Sequence, residues 1–210
     1  MNFVPYQFLK AVASTIRQLP LFFDLGATHD DFADWRDAIE CERIDRRVFN
    51  LVVTYGNPGL ICSFRTSSAD FTFEQIEAMD REKIQIYGVH LQDSMNWRCP
   101  TTLIESLGAF QALIDFIRPL ANLPKLQINM TAFPRLNMAE NMRVLGDLNF
   151  HEINTSTHTE TSPILDESFL LKQFRTGCLK KCNAWPEKQS AEFKRAADEF
   201  QKRAQKGRLD

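Results

Sequence analysis

Two cysteines and two histidines in the last third of the sequence come nearest to the pattern of a metal site. Three residues separate Cys178 from Cys182, and six separate His151 from His158. Zinc sites accept this cysteine spacing, but their paired histidines usually stand about three to five residues apart. Cys182 also ends a predicted strand, where its side chain would pack in the core. We therefore interpret both cysteines as buried structural residues and expect neither a metal nor another cofactor.

Nucleophilic catalysis is the second chemistry to consider. A serine or cysteine nucleophile needs a histidine and a supporting acid beside it. The four histidines occur outside any recognisable nucleophile motif, and the glycine-rich phosphate-binding sequences are absent. An enzyme would need a pocket that brings His90, His151 or His158 next to a serine, a cysteine or a carboxylate. We expect a non-enzymatic protein and keep a hydrolytic enzyme with an unrecognised site as an alternative.

A short repeated segment points to binding instead. Residues 123–129 begin with leucine and end with Ile-Asn, and residues 148–154 repeat this pattern. A degenerate third copy ends at Cys182 and Asn183, and another copy spans 81–87, earlier in the chain. Short apolar strands that return every ~20–30 residues, with helical segments between them, are typical of leucine-rich-repeat-like solenoids. The sequence therefore predicts an α/β fold with a short strand–helix solenoid.

Aligning the repeats predicts which side chains share a face of the sheet, because successive side chains of a strand point to opposite faces. The first column is apolar and is expected to face the core: Ile86, Ile128, Ile153 and Cys182. Two polar columns share the solvent face: Tyr87, Asn129, Asn154 and Asn183, and Gln85, Gln127, Glu152 and Lys181. From these we select four partner-binding residues: Gln127, Asn129, Asn154 and Asn183. Ordinary exposed strand residues remain the alternative, and Phe150 falls in the outward phase, which predicts a bulge or a shifted register.

The elements that position these columns follow from periodicity and turn residues. Residues 47–55 and 60–65 are predicted to form a β-hairpin around the turn at 56–59. Further strands are expected at 83–89, 126–128 and 150–153. Helices are expected from residue 4, from residue 28, and over 73–79, 103–120, 138–145 and 164–174. Pro186 is expected in the first turn of a final helix whose apolar stripe is Phe193, Ala196, Ala197, Phe200 and Ala204.

Composition bounds the class of protein. The chain has 210 residues, of which 44% are hydrophobic and 25% charged, as in globular proteins. A net charge of -2 gives no general attraction to nucleic acid or to anionic membranes, and no apolar run approaches the ~20 residues of a membrane span. We expect neither a nucleic-acid nor a membrane partner. Five scattered cysteines without a signal peptide predict a cytoplasmic or nuclear protein with reduced thiols. We also expect a monomer.

Several segments resemble a nematode-expanded F-box-related family with a leucine-rich-repeat-like, F-box-associated α/β region. The opening residues 4–9, Trp35 with the strand residues 49–52, the helix-to-strand step at 116–126, and residues 169–172 leading to 178–181 carry this resemblance. It implies an F-box-like helical segment over 1–45 and an α/β region over 46–210. It further implies a substrate adaptor of a cullin-type ubiquitin ligase, which binds a Skp-type linker and holds a target protein. The residues we assign to the linker contact are Val4, Pro5, Phe8 and Leu9.

The apolar stripe of the first predicted helix has two interpretations. It is either an F-box-like docking face or a surface packed against Phe32, Trp35 and Ile39 of the next helix. A degenerate structural paralogue without any ligase contact is the corresponding alternative function.

Overall fold

A mixed β-sheet and five helices make up the part of the chain that the structure, a computed structural model, describes. The described residues are 46–55, 59–93, 99–122, 124–130, 138–155, 161–162, 165–186 and 188–206. The predicted helical segment 1–45 lies outside them. The broad expectation of a mixed α/β fold is confirmed.

After the first hairpin, each described helix is preceded by one or two described strands. The strands are β1 (Arg47–Tyr55), β2 (Leu60–Arg65), β3 (Asp70–Phe71), β4 (Ile84–Gln92), β5 (Thr102–Ile104), β6 (Lys125–Asn129), β7 (Glu152–Thr155), β8 (Thr161–Ser162), β9 (Lys181–Cys182) and β10 (Trp185–Pro186). The helices are α1 (Phe73–Glu77), α2 (Leu107–Ile117), α3 (Met138–Leu145), α4 (Glu167–Thr176) and α5 (Ala191–Lys206). Short 3-10 turns cover Arg81–Lys83 and Arg118–Leu120.

Five parallel strands form the body of the sheet and follow one another in chain order. The order across the sheet is β3-β2-β1-β4-β6-β7-β9, with β5 also paired to β2. Strands β1, β4, β6, β7 and β9 are parallel neighbours, whereas β2 is antiparallel to β1. Tyr55 lies opposite Leu60, so the predicted hairpin is confirmed. Strands β8 and β10 form a separate two-stranded sheet.

The core lies on one side of this sheet, between the parallel strands and the helices. Alternate strand residues are buried there together with apolar side chains of α2, α3 and α4. Helix α5 joins the same cluster through Phe200, whose ring stacks on Phe174 at 4.9 Å between centroids. The predicted stripe of α5 is largely confirmed, because Phe193, Ala197 and Phe200 are buried.

Two predicted helix starts are wrong. Residues 103 and 104, which we expected in a helix, belong to β5, and α2 begins only after Ser106, whose hydroxyl accepts a hydrogen bond from the amide of Ala109 at 3.1 Å. Pro186 belongs to β10 and not to the first turn of α5. At the start of α5, the hydroxyl of Ser190 accepts a hydrogen bond from the amide of Phe193 at 3.1 Å. Both helices therefore begin after a capping serine and not where the apolar pattern begins.

The predicted register of the repeats is correct at one step and wrong at two. Ile153 is paired with Cys182, as expected, but Ile153 lies opposite Leu126 and not opposite Ile128. Ile128 in turn lies opposite Leu91 and not opposite Ile86. The shift of two residues between β6 and β7 keeps every side chain on its predicted face, because the side-chain period of a strand is two. Ile86, Ile128 and Ile153 are accordingly buried, as predicted.

Candidate functional site

The face of the sheet that turns away from the helices, which we call the open face, is the candidate site. Its side chains alternate with the buried residues of the parallel strands, and most are polar and partly exposed. The open-face residues of the last four parallel strands are Gln85, Tyr87, His90, Gln92, Lys125, Gln127, Asn129, Glu152, Asn154 and Lys181.

The strand register arranges these side chains in rows that run across the sheet. One row places Lys125 beside Glu152 and Glu152 beside Lys181. A second row joins His90, Gln127 and Asn154, and a third joins Gln92 and Asn129. Neighbouring strands lie ~4.8 Å apart, so residues of one row are within side-chain reach of each other.

Two of the four selected residues, Gln127 and Asn129, lie on β6 and bond to each other. The Nε2 of Gln127 donates to the Oδ1 of Asn129 at 3.0 Å. In the third row, the side-chain amide of Gln92 donates a hydrogen bond to the hydroxyl of Thr54 at 3.0 Å. These hydrogen bonds hold the side-chain amide groups in fixed orientations, so less side-chain conformational entropy is lost when a partner binds.

Asn183 follows the end of β9 and has a structural role in addition to its exposed position. Its side-chain Oδ1 accepts from the amide of Thr155 at 2.8 Å, and its own amide donates to the carbonyl of Ile153 at 3.0 Å. The residue thus continues the pairing of β9 with β7. The structure therefore brings Gln127, Asn129 and Asn154 together on the open face and places Asn183 at its edge.

Glu152 is the central residue of the row formed by Lys125, Glu152 and Lys181, which we call the charged row. Its carboxylate accepts from Lys181 Nζ at 2.8 Å and from Asn154 Nδ2 at 2.8 Å, and Lys125 Nζ lies 3.0 Å away. The side chain of Glu152 is only 12% exposed. Burial by itself would raise the pKa of Glu152, but the three hydrogen bonds outweigh it and lower this pKa to about 2.

Tyr87 is an open-face residue that the sequence reasoning placed in a column but did not select. Its side chain is 42% exposed, and Lys125 Nζ lies 5.3 Å from the centre of its ring. The register shifts between Phe49 and Asn50, so Tyr87 is the extra residue of a β-bulge. No sequence pattern reliably identifies such a bulge. The charged residues at the starts of three repeated strands, Lys125, Glu152 and Lys181, are evident in the sequence and could have identified the charged row.

Gly88 and Asn50 pack closely beside the bulge. A Cβ at position 88 would lie 2.9 Å from the Oδ1 of Asn50 and 3.3 Å from the carbonyl of Lys125. Among the described residues, that Oδ1 atom is buried without a hydrogen-bond partner, as is the Oδ1 of Asn154. A larger residue at position 88 would therefore require the side chain of Asn50 to move and the β6 backbone to shift slightly.

The metal and nucleophile hypotheses gain no support from the described residues. Within those ranges no group of three His, Cys, Asp or Glu side chains is placed to hold a metal ion. His90 is partly buried, and burial together with the charge of Arg65 lowers its pKa. His158 and the four residues of the predicted linker contact, Val4, Pro5, Phe8 and Leu9, lie outside the described part of the chain.

A groove of about 530 Å³ between α4 and α5 is a further concave surface. Leu171, Phe174 and Ala196 supply its apolar lining. Both basic and acidic side chains stand around it, including Arg175 and Glu192. Its mixed charge favours no class of ligand, so the open face remains the better candidate.

Comparison with models of protein families, with curated proteins and with solved structures finds no match to this chain. In the described ranges, every helix is too short or too polar to cross a membrane.

Proposed function

We propose that this chain is a non-enzymatic protein-binding module whose partner lies on the open face. One observation carries the proposal. Among the described residues, the helices lie on one side of the five parallel strands, and on the other side the last four strands present partly exposed polar side chains in aligned rows. A sheet that is solvated on one face usually alternates apolar and polar residues in this way, but all-parallel sheets are normally covered on both faces. The partly exposed side chains of these four strands are therefore accessible to a partner, whereas Val52 and Thr54 on the same face of β1 are buried.

The architecture that we propose for these strands is a short leucine-rich-repeat-like solenoid. Each repeat would comprise one parallel strand and the helix that follows it, as β6 with α3 and β7 with α4 illustrate. Solenoids of this kind stack repeats so that each contacts its neighbours, and they bind partners on their extended sheet surfaces. Helices α2 and α3 are in contact, which supports the stacking of successive repeats.

The wider role that we propose is that of a substrate adaptor of a cullin-type ubiquitin ligase. Its support is the resemblance of residues 4–9 and of the later segments to the F-box-related family. Residues 1–45 would bind a Skp-type linker, with Val4, Pro5, Phe8 and Leu9 at the contact. The open face would then hold the target protein.

Affinity purification of the full chain with quantitative mass spectrometry tests the role of the open face. The informative variant is Gln127→Lys, which places a bulky charge in the middle row. Gln111→Lys on α2 is the matched control, because Gln111 is a half-buried helix residue on the other side of the sheet. We expect at least one specific partner to fall about tenfold with Gln127→Lys and to stay unchanged with the control. Retention of every partner by both variants contradicts the proposal.

A pull-down with a purified Skp-type linker tests the ligase role separately. We expect the full chain to capture the linker, and Pro5→Ala and Phe8→Ala to weaken capture. Gln7→Ala serves as the control within the same segment. Failure to capture the linker at any stringency removes the ligase role and leaves the binding module.

A further inference from the structure

We propose that the open face binds an acidic segment of its protein partner at the beginning of the parallel strands, on a surface formed by Val48, Tyr87, Lys125 and Lys181. We call this surface the basic strip. The inference rests on the proposed function, because it names the partner chemistry of the same face.

Two large apolar side chains are unusually exposed in this place. Val48 is 46% exposed and Tyr87 is 42% exposed. Among the described residues, the third such side chain is Leu103, on the edge strand β5. Phe49 and Ile86 are paired and point into the core, so their neighbours Val48 and Tyr87 both point to the open face. Exposed aromatic side chains are favoured contact centres in protein interfaces.

Positive charge lies beside these side chains. Lys125 and Lys181 share a single carboxylate, that of Glu152, at 3.0 Å and 2.8 Å. Glu152 is 12% exposed, whereas Lys125 and Lys181 are 36% and 56% exposed. The lysine side chains are therefore more accessible to a partner than the glutamate side chain. Arg47 is also exposed where β1 begins, which adds to the positive charge of this end of the sheet.

A peptide anion fits this strip better than a small free anion. In the described part of the chain the strip is a row of side chains along the surface of a sheet, so it offers little to a small free anion. The ring of Tyr87 lies against Lys125, so a ligand that covers one of them meets the other. A peptide segment with a carboxylate next to an apolar side chain satisfies both at once. Charge complementarity of this sort raises association rates and excludes basic partners.

Selection from a random peptide display library against the full chain tests the inference. Selected peptides are then measured by fluorescence anisotropy with the wild type and with Tyr87→Ala and Lys181→Ala. Lys181 is chosen because Glu152 keeps Lys125 and Asn154 as partners when Lys181 is removed. We expect the peptides to be rich in Asp and Glu around an apolar residue. Their affinity should fall about tenfold with each variant, and should fall further as salt rises from ~0.05 to ~0.5 M.

Two matched variants control for nonspecific effects. Lys172→Ala removes a comparably exposed ammonium group, paired with Asp147 at 2.7 Å on the helical side of the protein. Leu103→Ala removes an exposed apolar side chain at the sheet edge. Neither should change the affinity of the selected peptides.

The possible outcomes separate this inference from the proposed function. If the peptides that lose binding with Gln127→Lys are neutral or basic, the acidic-segment inference alone is overturned. The same holds if these peptides bind Tyr87→Ala and Lys181→Ala as tightly as the wild type. The open face then remains a binding surface. A selection in which no peptide depends on any open-face residue overturns both.

Discussion

The side chain of Gln173 is hydrogen-bonded to the backbone amide of Phe150, 23 residues earlier in the chain. The Gln173 side chain is fully buried in α4, and its Oε1 accepts from this amide at 3.0 Å. Its Nε2 donates to the carbonyl of Leu148 at 3.0 Å. A side chain and not a neighbouring strand is thus the partner of the Phe150 amide, and β7 begins two residues later, at Glu152.

Replacing Gln173 with leucine is expected to destabilise the fold. The Gln173→Leu variant keeps the size of the side chain but leaves a buried amide and a buried carbonyl without partners. We expect the free energy of unfolding to fall by about 2 to 4 kcal/mol, measured by urea denaturation. Gln111→Ala, which removes a hydrogen bond to Asp115 at the surface, should cost less than about 0.5 kcal/mol. Equal stability of the two variants would argue against this role for Gln173.

Replacing Gly88 with alanine tests the close approach of the strands beside the bulge. The new Cβ would meet the Oδ1 of Asn50 at 2.9 Å, so we expect a loss of about 1 to 3 kcal/mol in unfolding free energy. The double variant with Asn50→Ala should recover part of this loss, because the closest contact is removed. Gly108→Ala on α2, where the nearest atom is 3.8 Å away, should instead stabilise by up to about 1 kcal/mol. A neutral Gly88→Ala change would contradict the packing.

Acid should weaken the fold partly through Glu152. Its pKa is lowered from 4.5 to about 2 in the folded protein, so the ionised carboxylate stabilises the fold. This contribution is fully present above pH ~4.5 and is lost as the pH falls from there towards ~2. We expect the wild type to lose about 1 to 2 kcal/mol more than Glu152→Gln over this window, since the partly exposed lysines are screened by water.

The measurement for Glu152 is urea unfolding of both proteins at several pH values. Other carboxylates with lowered pKa values, such as Asp70 and Asp147, contribute equally to both proteins and cancel in the difference. Parallel pH profiles for the wild type and Glu152→Gln would show that the charged row does not stabilise the fold.

Buried and partly exposed cysteines should react with a thiol label at different rates. Cys62 is 1% exposed, and burial together with the nearby charge of Glu74 raises its pKa to about 12. Because the thiolate is the reactive form, we expect iodoacetamide to modify Cys62 at least about a hundredfold more slowly than the partly exposed Cys178. Peptide mass spectrometry resolves the sites. Comparable rates would show that β2 opens readily.

Local patterns in the sequence predicted the hairpin and the type of most elements after it. Alternation identified the buried residues of the parallel strands, and the errors in register at two of the three steps did not disturb this result. Helix starts were less accurate where Ser106 and Ser190 cap the chain, because a capping side chain acts at one position whereas an apolar stripe extends over several turns. Three selected residues, Gln127, Asn129 and Asn154, lie together on the open face, whereas Asn183 bonds to the backbone of β7 at its edge.

The sequence by itself determined which side chains of the repeats face the core and which face solvent, since this depends on alternation along a single strand. Only the tertiary structure decided which residues stand side by side. That arrangement depends on the register between strands that are distant in sequence, including the shift at the bulge. The meeting of Tyr87, Lys125 and Glu152 on the open face follows from this long-range pairing.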